Sequence, residues 1–401
     1  MCRRIILTLG LLCAALGLSS AQTASFQDEV DSTAVKLMEA GFVNVRVAET
    51  PNYKVYTIEN DRYKLPAEGF AEARRIIESA SIDKKAVKLI GTHYDVPELT
   101  MTYFPHSEYW HTTKRLDESW DEVRKTRKLN SNFGKVNIAV YPQVSLMNLI
   151  INQVYQSLWQ LSPAIEVSLW PGMKFTYQLK IPIYNDGYGI LEDKVHPGMV
   201  SLSQRFRDPW NLNVIGKLTA GTFSNSRYGA ALEMAYHFPN ERFWVDTQMA
   251  YLSIYSWDAF KWYYATEFNF VWNFSANYYN PSLKTQFILR AQRFLLGDYG
   301  VKYEMIRHFR HASVGLYAVK GIDPRFDTDL NVGFRFQIAL PPYRHKRHGY
   351  IPRISVSPHM GMSYNANNEQ IYYKEFRTET TDNIMSNNAF NPYYVSSDIF
   401  K

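Results

Sequence analysis

Hydrophobic and polar residues alternate with a period of two along most of the chain after Val136. The clearest alternation covers residues 164–169, 175–183, 230–238, 266–274 and 331–340. Each run offers one wholly apolar face and one mixed polar face, as an antiparallel strand between two different environments requires. Turn-forming residues separate the runs, as at Pro239-Asn240 and Asn280-Pro281. The pattern predicts about twelve to fourteen antiparallel strands.

One hairpin can be predicted residue by residue. The strand that ends at Phe223 is followed by Ser224, Asn225 and Ser226, and the next strand then begins at Arg227. A three-residue turn pairs Phe223 with Arg227, and the pairing that follows is Leu218 with Leu232 and Lys217 with Glu233. This register places two leucines together on one face and an ion pair on the other.

The residues before the alternating region predict a small α+β domain, which we place at residues 22–104. Apolar residues at helical spacing predict a helix from Asp28 to about Gly41. Pro66 opens a second predicted helix. Short strands are predicted at 42–48, 53–59, 86–90 and 98–104. Residues 105–135 are rich in charges and poor in branched apolar residues, which predicts a linker with a short helix.

The chain begins with Met1, Cys2, Arg3 and Arg4, followed by an apolar run to Leu18 and small residues at 19–21. This order is typical of a secretory signal peptide, and we predict cleavage before Gln22. The only cysteines are Cys2 and Cys13, so the mature protein is predicted to contain none. An exported chain without thiols must be held together by packing and backbone hydrogen bonds.

Composition favours a membrane sheet over a helical membrane bundle. Aromatic residues make up 15% of the chain, with 29 tyrosines, yet the mean hydropathy is −0.31. A transmembrane β-barrel combines lipid-facing and interior residues and therefore averages out as polar, with aromatic girdles at both interfaces. The 44 basic and 38 acidic residues are nearly balanced, so nothing indicates a nucleic-acid partner.

Sheet edges exposed to lipid would leave backbone groups unpaired, so strands in a bilayer must close. We therefore predict a mainly β protein: an antiparallel transmembrane β-barrel over residues 136–401, in the outer membrane of a Gram-negative bacterium, after a small α+β periplasmic domain. A soluble secreted β-sandwich is the alternative, since alternation alone fits both. In a barrel, the charged residues opposite the apolar faces line the interior; they are Glu166, Lys180, Lys217, Glu233, Glu267, Arg290, Glu304 and Arg335.

The sequence contains no nucleophile elbow, HExxH helix, phosphate-binding loop, dinucleotide fingerprint or paired CxxC motif. No catalytic residue, cofactor or metal is therefore predicted. Asp323, Asp327 and Asp329 lack the spacing of a calcium loop. The basic residues 344–348 are interpreted as a solvated loop or turn, with contact to acidic glycans or lipopolysaccharide phosphates as the alternative.

Two stretches carry a family resemblance. Residues 163–186, PAIEVSLWPGMKFTYQLKIPIYND, and the segments RFLLGDYGVKYEMIRHF, SVGLYAV and NVGFRFQIALP within 293–340 resemble the YjbH/GfcD family of outer-membrane proteins. The likeness spans roughly residues 140 to 345 and is a pattern of hairpins. It implies a barrel associated with exopolysaccharide and capsule secretion, and no catalytic residues. Members of that family are longer than this chain.

Three functions remain open from the sequence. The first is a non-enzymatic barrel that serves as a conduit or docking platform in polysaccharide export, with outer-membrane lipid, polysaccharide and periplasmic or outer-membrane export proteins as partners. The second is a hydrolase built into a barrel and acting on glycan or lipid. The third is a soluble carbohydrate-binding β-protein that uses its tyrosines and tryptophans.

Overall fold

The amino-terminal part forms a five-stranded sheet covered by helices. The computed structural model describes residues 31–80, 85–148, 155–210, 212–325, 330–345, 352–357, 359–365, 372–380 and 389–400. The predicted signal peptide lies outside these residues. The first elements are α1 (Ser32–Glu39), β1 (Phe42–Glu49), β2 (Tyr53–Asn60), α2 (Pro66–Ala80), β3 (Ala86–His93), β4 (Val96–Phe104), β5 (Tyr109–Thr113) and α3 (Glu118–Val123).

The strands of this sheet follow chain order, from β1 to β5. Only β2 and β3 are parallel, and α2 connects them, as a parallel pair requires a crossover. Helix α2 begins at Pro66 and buries Phe70, Ala73 and Ile77 against the sheet. Helices α1 and α2 and strands β1 to β4 were predicted from periodicity, and their described positions agree within a few residues, whereas β5 was not predicted.

The sheet continues into the region predicted as a linker. Strand β5 pairs with β4, and Val123 of α3 packs in a cluster with Tyr53, Val55 and Ile90. Asp117 caps α3, its side chain accepting a hydrogen bond from the amide of Ser119 at 3.0 Å. The predicted short helix is present, but residues 105–123 belong to the first sheet and its covering layer. We call residues 33–123 the amino-terminal unit.

A second, larger sheet of fifteen strands holds most of the remaining residues, so the protein is mainly β. Twelve long antiparallel strands form its body, and three strands are short: β13 (Lys261–Tyr264), β19 (Arg353–Val356) and β20 (His359–Asn365). The long strands are β6 (Val136–Asn148), β7 (Tyr155–Trp170), β8 (Met173–Asp186), β9 (His196–Arg207), β10 (Val214–Phe223), β11 (Arg227–His237), β12 (Phe243–Asp258), β14 (Asn269–Asn280), β15 (Thr285–Arg293), β16 (Tyr299–His308), β17 (Ala312–Gly321) and β18 (Asn331–Ala339).

The predicted hairpin register is confirmed. Strands β10 and β11 pair Phe223 with Arg227, Leu218 with Leu232 and Lys217 with Glu233. Asn225 and Ser226 adopt positive φ values of 55° and 54° in the turn. The Nζ atom of Lys217 lies 3.0 Å from a carboxylate oxygen of Glu233. A short turn and a period of two were therefore sufficient to align these strands.

The two ends of the large sheet are reached by one short stretch of chain. Strand β19 (Arg353–Val356) pairs with β6 in parallel, and β20 (His359–Asn365) pairs with β18 in antiparallel. Only two residues separate β19 from β20 along the chain. The amide of Ser357 also donates to the carbonyl of Val140 in β6 at 2.9 Å.

The last residues return to the amino-terminal unit. Helix α4 (Pro392–Val395) is capped by Asn391. Tyr394, Val395 and Phe400 are buried in the cluster that contains Phe70 of α2. Residues 33–401 accordingly form one compact unit. The predicted barrel, residues 136–401, includes these last residues, although they pack on the amino-terminal unit. The sequence pattern did not indicate this contact because the residues that form it are far apart in the chain.

Candidate functional site

The large sheet buries polar side chains on one face and exposes apolar side chains on the other. Leu218 of β10 is 49% exposed, whereas its neighbours Lys217 and Thr219 are 7% and 1% exposed. The same inversion recurs around the sheet. The buried polar side chains include Gln160, Ser162, Thr176, Gln178, Ser203, Ser275, Asn277, Gln286, Gln292, Glu304, Ser313 and Gln337, and the exposed apolar ones include Ile165, Leu202, Met249, Phe270, Phe274, Leu289, Leu316, Phe334 and Ile338.

Two clusters of ion pairs lie on the buried face. In the first, Lys217 contacts Glu233 at 3.0 Å and Glu379 at 2.7 Å. Lys174 of β8 contacts the same Glu379 at 2.9 Å. Thr378 accepts a hydrogen bond from Lys217 and donates one to Glu233. Both lysines are almost fully buried, and together they hold one carboxylate that no strand supplies.

The second cluster centres on Glu304 and Glu375. Glu304 is 1% exposed, with Lys302 at 3.3 Å and Arg335 at 3.0 Å. Glu375 contacts Lys302 at 3.1 Å and Arg290 at 3.6 Å. Burying such charges is unfavourable unless they are paired, and each carboxylate here is paired with two cations: Glu304 with Lys302 of its own strand β16 and Arg335 of β18, and Glu375 with Lys302 and Arg290 of β15.

Among the residues predicted to line an interior, Lys217 pairs with Glu233 and Arg335 pairs with Glu304, while Arg290 joins the second cluster through Glu375. Glu166 lies on β7 and accepts a hydrogen bond from the hydroxyl of Tyr141 at 2.8 Å. Lys180 is half-buried on β8, opposite His196 of β9 in the register.

Glu267 differs from the prediction, because it is exposed and precedes β14. The alternation in the sequence continues across residues 266–268, but these residues connect β13 (Lys261–Tyr264) to β14. The hydroxyls of Tyr228 and Ser253 both donate to the carbonyl of Ala265, at 2.6 Å and 2.9 Å. The carbonyl of Ala265 is therefore bonded to side chains, residues 265–268 do not join the pairing of β12 with β14, and Glu267 is exposed instead of reaching the buried face.

Residues 372–380, which we call the inner segment, lie against the buried face. At one end the amide of Tyr373 donates to Asp298 at 3.1 Å, and the amide of Leu295 donates to the carbonyl of Lys374 at 3.0 Å. Further along, Ser224 and Arg377 exchange two hydrogen bonds. The ring of Phe376 packs 5.7 Å from that of Phe223.

The inner segment begins at the end of the large sheet that lies away from the amino-terminal unit, and it extends towards that unit. Ser224 and Asp298 lie in turns at this distant end of the strands. Glu379, by contrast, contacts Lys174, whose Nζ lies 5.5 Å above the ring of Tyr94 in the amino-terminal unit. The segment therefore follows most of the length of the buried face.

Sequence reasoning missed four charged members of the two clusters. Lys174 and Lys302 share the polar side of their strands with residues that were chosen, so alternation contained the signal. Glu375 and Glu379 lie in a segment without strand periodicity, and nothing local indicates that they meet lysines more than 70 residues away.

The amino-terminal unit contacts the same end of the large sheet through Glu98. Its carboxylate accepts from Arg205 of β9 at 2.6 Å and from Lys114 at 3.3 Å. Burial alone would raise the pKa of Glu98, but the charges of Arg205 and Lys114 outweigh burial and hold the pKa at about 2. Arg344, from the predicted basic loop, likewise lies over the ring of Tyr63 at 5.2 Å.

Glu59 is a second buried acid of the amino-terminal unit, and it yields a pH-dependent prediction. Burial raises the pKa of Glu59 to about 7. The hydrogen bonds from the side chain of Asn44 and the amide of Asp95 lower this pKa, but their effect is smaller than that of burial. Because the unfolded pKa is about 4.3, the folded state binds the proton more tightly, and stability falls as pH rises from about 4 to about 7.

We expect Glu59→Gln to remove this loss, so that above pH 7 the variant is more stable than the wild type by about 1–3 kcal/mol. Hydrogen exchange of the β1 and β2 amides, compared at the same pH, measures the difference. Glu118→Gln, at an exposed position of α3, is the control. A difference between Glu59→Gln and wild type that is the same at pH 5 and pH 8 contradicts the raised pKa.

Within the described ranges, no three His, Cys, Asp or Glu side chains are grouped so as to hold a metal ion. Asp323 is held by Arg325 at 2.5 Å, while Asp327 and Asp329 lie outside these ranges. None of the helices described has both the length and the apolar character needed to span a bilayer.

No protein-family model matches the sequence, and no curated protein matches it. The resemblance to the YjbH/GfcD family stays a prediction.

Proposed function

We propose that this protein is an outer-membrane β-barrel of a Gram-negative bacterium, non-enzymatic, that acts in export or assembly of exopolysaccharide or capsule as a conduit or docking platform. The observation that carries the proposal is the inverted burial of the large sheet. A soluble sheet packs its apolar face inward and exposes its polar face, and large apolar patches in water are rare. If lipid surrounds the exposed face, the apolar side chains there contact acyl chains instead of water.

Closure of the sheet follows the same physics. In hydrocarbon, an unpaired backbone group costs several kcal/mol, so a spanning sheet cannot keep open edges. The pairing of β19 with β6, and of β20 with β18, supports closure by the stretch 353–365. In this proposal the buried face lines the interior and the exposed face contacts acyl chains.

Aromatic residues support a membrane position. Trp159 and Trp170 are both about half exposed and lie eleven residues apart on β7. At about 3.4 Å per residue and a tilt near 40°, they are separated by roughly 28 Å along the membrane normal, close to the apolar band of about 25 Å expected for outer-membrane barrels. Tryptophans at these positions fit the two interfacial girdles.

The glycan role has two supports. The interior carries charges of both signs with many amides and hydroxyls, which suit a hydrated polymer better than an apolar ligand. The second support is the resemblance to the YjbH/GfcD family, which implies a role in polysaccharide export. At the end of the sheet near the amino-terminal unit, the connections 281–284 and 309–311 have three or four residues, whereas 187–195 and 322–330 at the other end have nine. Because outer-membrane barrels have short periplasmic turns, the amino-terminal unit would be periplasmic and would meet periplasmic or outer-membrane export proteins.

Fractionation tests the membrane assignment. We expect the protein in the outer-membrane fraction, with electrophoretic migration that changes on boiling. Deletion of the gene is expected to reduce surface polysaccharide, and plasmid complementation is the control. Recovery in the soluble fraction with migration unaffected by heat contradicts the barrel. Outer-membrane recovery with unchanged surface polysaccharide contradicts the export role alone.

A further inference from the structure

The strands place more cations than acids on the buried face, and the inner segment supplies the missing acids. The strand cations are Lys174, Lys180, Arg205, Lys217, Arg290, Lys302 and Arg335, and the strand acids are Glu166, Glu233, Asp246 and Glu304. Glu375 and Glu379 contact Lys174, Lys217, Arg290 and Lys302. The interior is therefore built to hold carboxylates that do not belong to the strands.

The two carboxylates follow one another along a single chain. Glu375 and Glu379 are four residues apart, which in an extended chain is at most about 14 Å. Each binds two cations from different strands, and amide and hydroxyl groups flank them: Gln292 donates to Glu375 at 2.9 Å, and Thr378 accepts from Lys217 at 3.0 Å. A linear polymer with repeated carboxylates offers the same chemistry along the same path.

The inner segment is also attached differently from the strands. Its described backbone bonds are isolated contacts, such as those with Leu295 and Ser224, whereas each strand shares a continuous ladder with its neighbours. Besides its ion pairs, it is held by the ring contacts of Phe376 and Tyr373 and by separate hydrogen bonds, such as those from Asn225 to the carbonyl of Glu375 and from Gln143 to the carbonyl of Thr380. Because none of these contacts is part of a strand ladder, a ligand that offers carboxylates and hydrogen-bonding groups can replace the segment without breaking the sheet.

We propose that the cationic row of the buried face binds a carboxylate-bearing polysaccharide, and that residues 372–380 are a built-in occupant which this glycan displaces. The proposal rests on the proposed function for the presence of a glycan, and it specifies the chemical class. The apparent affinity for the glycan is then the intrinsic affinity multiplied by the fraction of molecules in which the segment is displaced.

Two variants shift that fraction in opposite directions. E375Q/E379Q weakens the occupant, and we expect it to bind a fluorescent oligogalacturonate of about ten units at least about tenfold more tightly than wild type. S224C/R377C places a disulfide where the two residues already exchange hydrogen bonds. The only other cysteines are at positions 2 and 13. We expect the oxidised form to bind at least about tenfold more weakly and to recover when reduced.

Purified full-length protein in detergent is used, with far-ultraviolet circular dichroism and cooperative thermal unfolding as the check that each variant is folded. The matched controls are E118Q/E122Q, at exposed positions of α3, and S224C alone under the same oxidation. An uncharged maltooligosaccharide and inorganic polyphosphate separate carboxylate recognition from general sugar or anion binding.

Opposite shifts for the two variants, limited to oligogalacturonate, support the proposal. Equal binding by the oxidised and reduced cross-linked protein overturns it, as does equal binding of the neutral glycan. Preference for polyphosphate overturns the carboxylate assignment. The binding assay needs no membrane. Recovery of the native protein in the soluble fraction would therefore contradict the proposed function, while the binding results would still test the glycan proposal.

Discussion

Replacing Leu218 with arginine is expected to lower the stability of the protein in lipid by about 2–4 kcal/mol, and Leu289→Arg is expected to do the same. Both side chains are about half exposed, at the centres of β10 and β15. If the exposed face met water, an arginine at either position would change stability by no more than about 0.5 kcal/mol. The size of the effect therefore distinguishes the two environments.

Folding into lipid vesicles at increasing urea concentration measures this effect, with heat-modifiable migration reporting the folded fraction. The two positions lie on separate strands, so the double variant is expected to lose about the sum of the single losses. Leu129→Arg is the matched control, because Leu129 is 43% exposed in the segment between α3 and β6. Wild-type urea midpoints for both Leu218→Arg and Leu289→Arg would place the exposed face in water.

Glu98→Gln is expected to loosen the amino-terminal unit from the large sheet by about 3 kcal/mol. Glu98 is almost fully buried between Arg205 and Lys114. A glutamine of similar size keeps the packing but leaves both cations without a charged partner. Local opening is then expected to become about a hundredfold more frequent, which hydrogen exchange of the β4 amides measures.

The pH dependence of this contact adds a second test. Because the folded pKa of Glu98, about 2, lies below its unfolded value near 4.3, its contribution is complete above about pH 4 and is lost as pH falls towards 2. Wild type and Glu98→Gln should therefore converge at low pH.

Asp121→Asn removes an exposed pair with Arg124, at 3.1 Å, and is the control, with an expected change below about 0.5 kcal/mol. A loss for Glu98→Gln no larger than that of Asp121→Asn would show that the ion pair does not hold the two parts together.

Local sequence pattern was sufficient for most strands and for one full register. In the β10–β11 hairpin, a three-residue turn and a period of two left one alignment that matched both faces, and Lys217 lies against Glu233 as predicted. The same rule failed at Glu267, because alternation says which side a residue would take in a strand and not where the strand begins.

The sequence by itself determined the β class, the alternation of faces and the first helices and strands, because each depends on neighbours within a few residues. The tertiary structure decided which face is buried, how β19 and β20 reach both ends of the sheet, and that Phe400 packs with Phe70. It also decided that Glu375 and Glu379 meet the strand cations. These contacts join residues far apart in the chain, and their partners are selected by charge and shape in three dimensions, which no local period records.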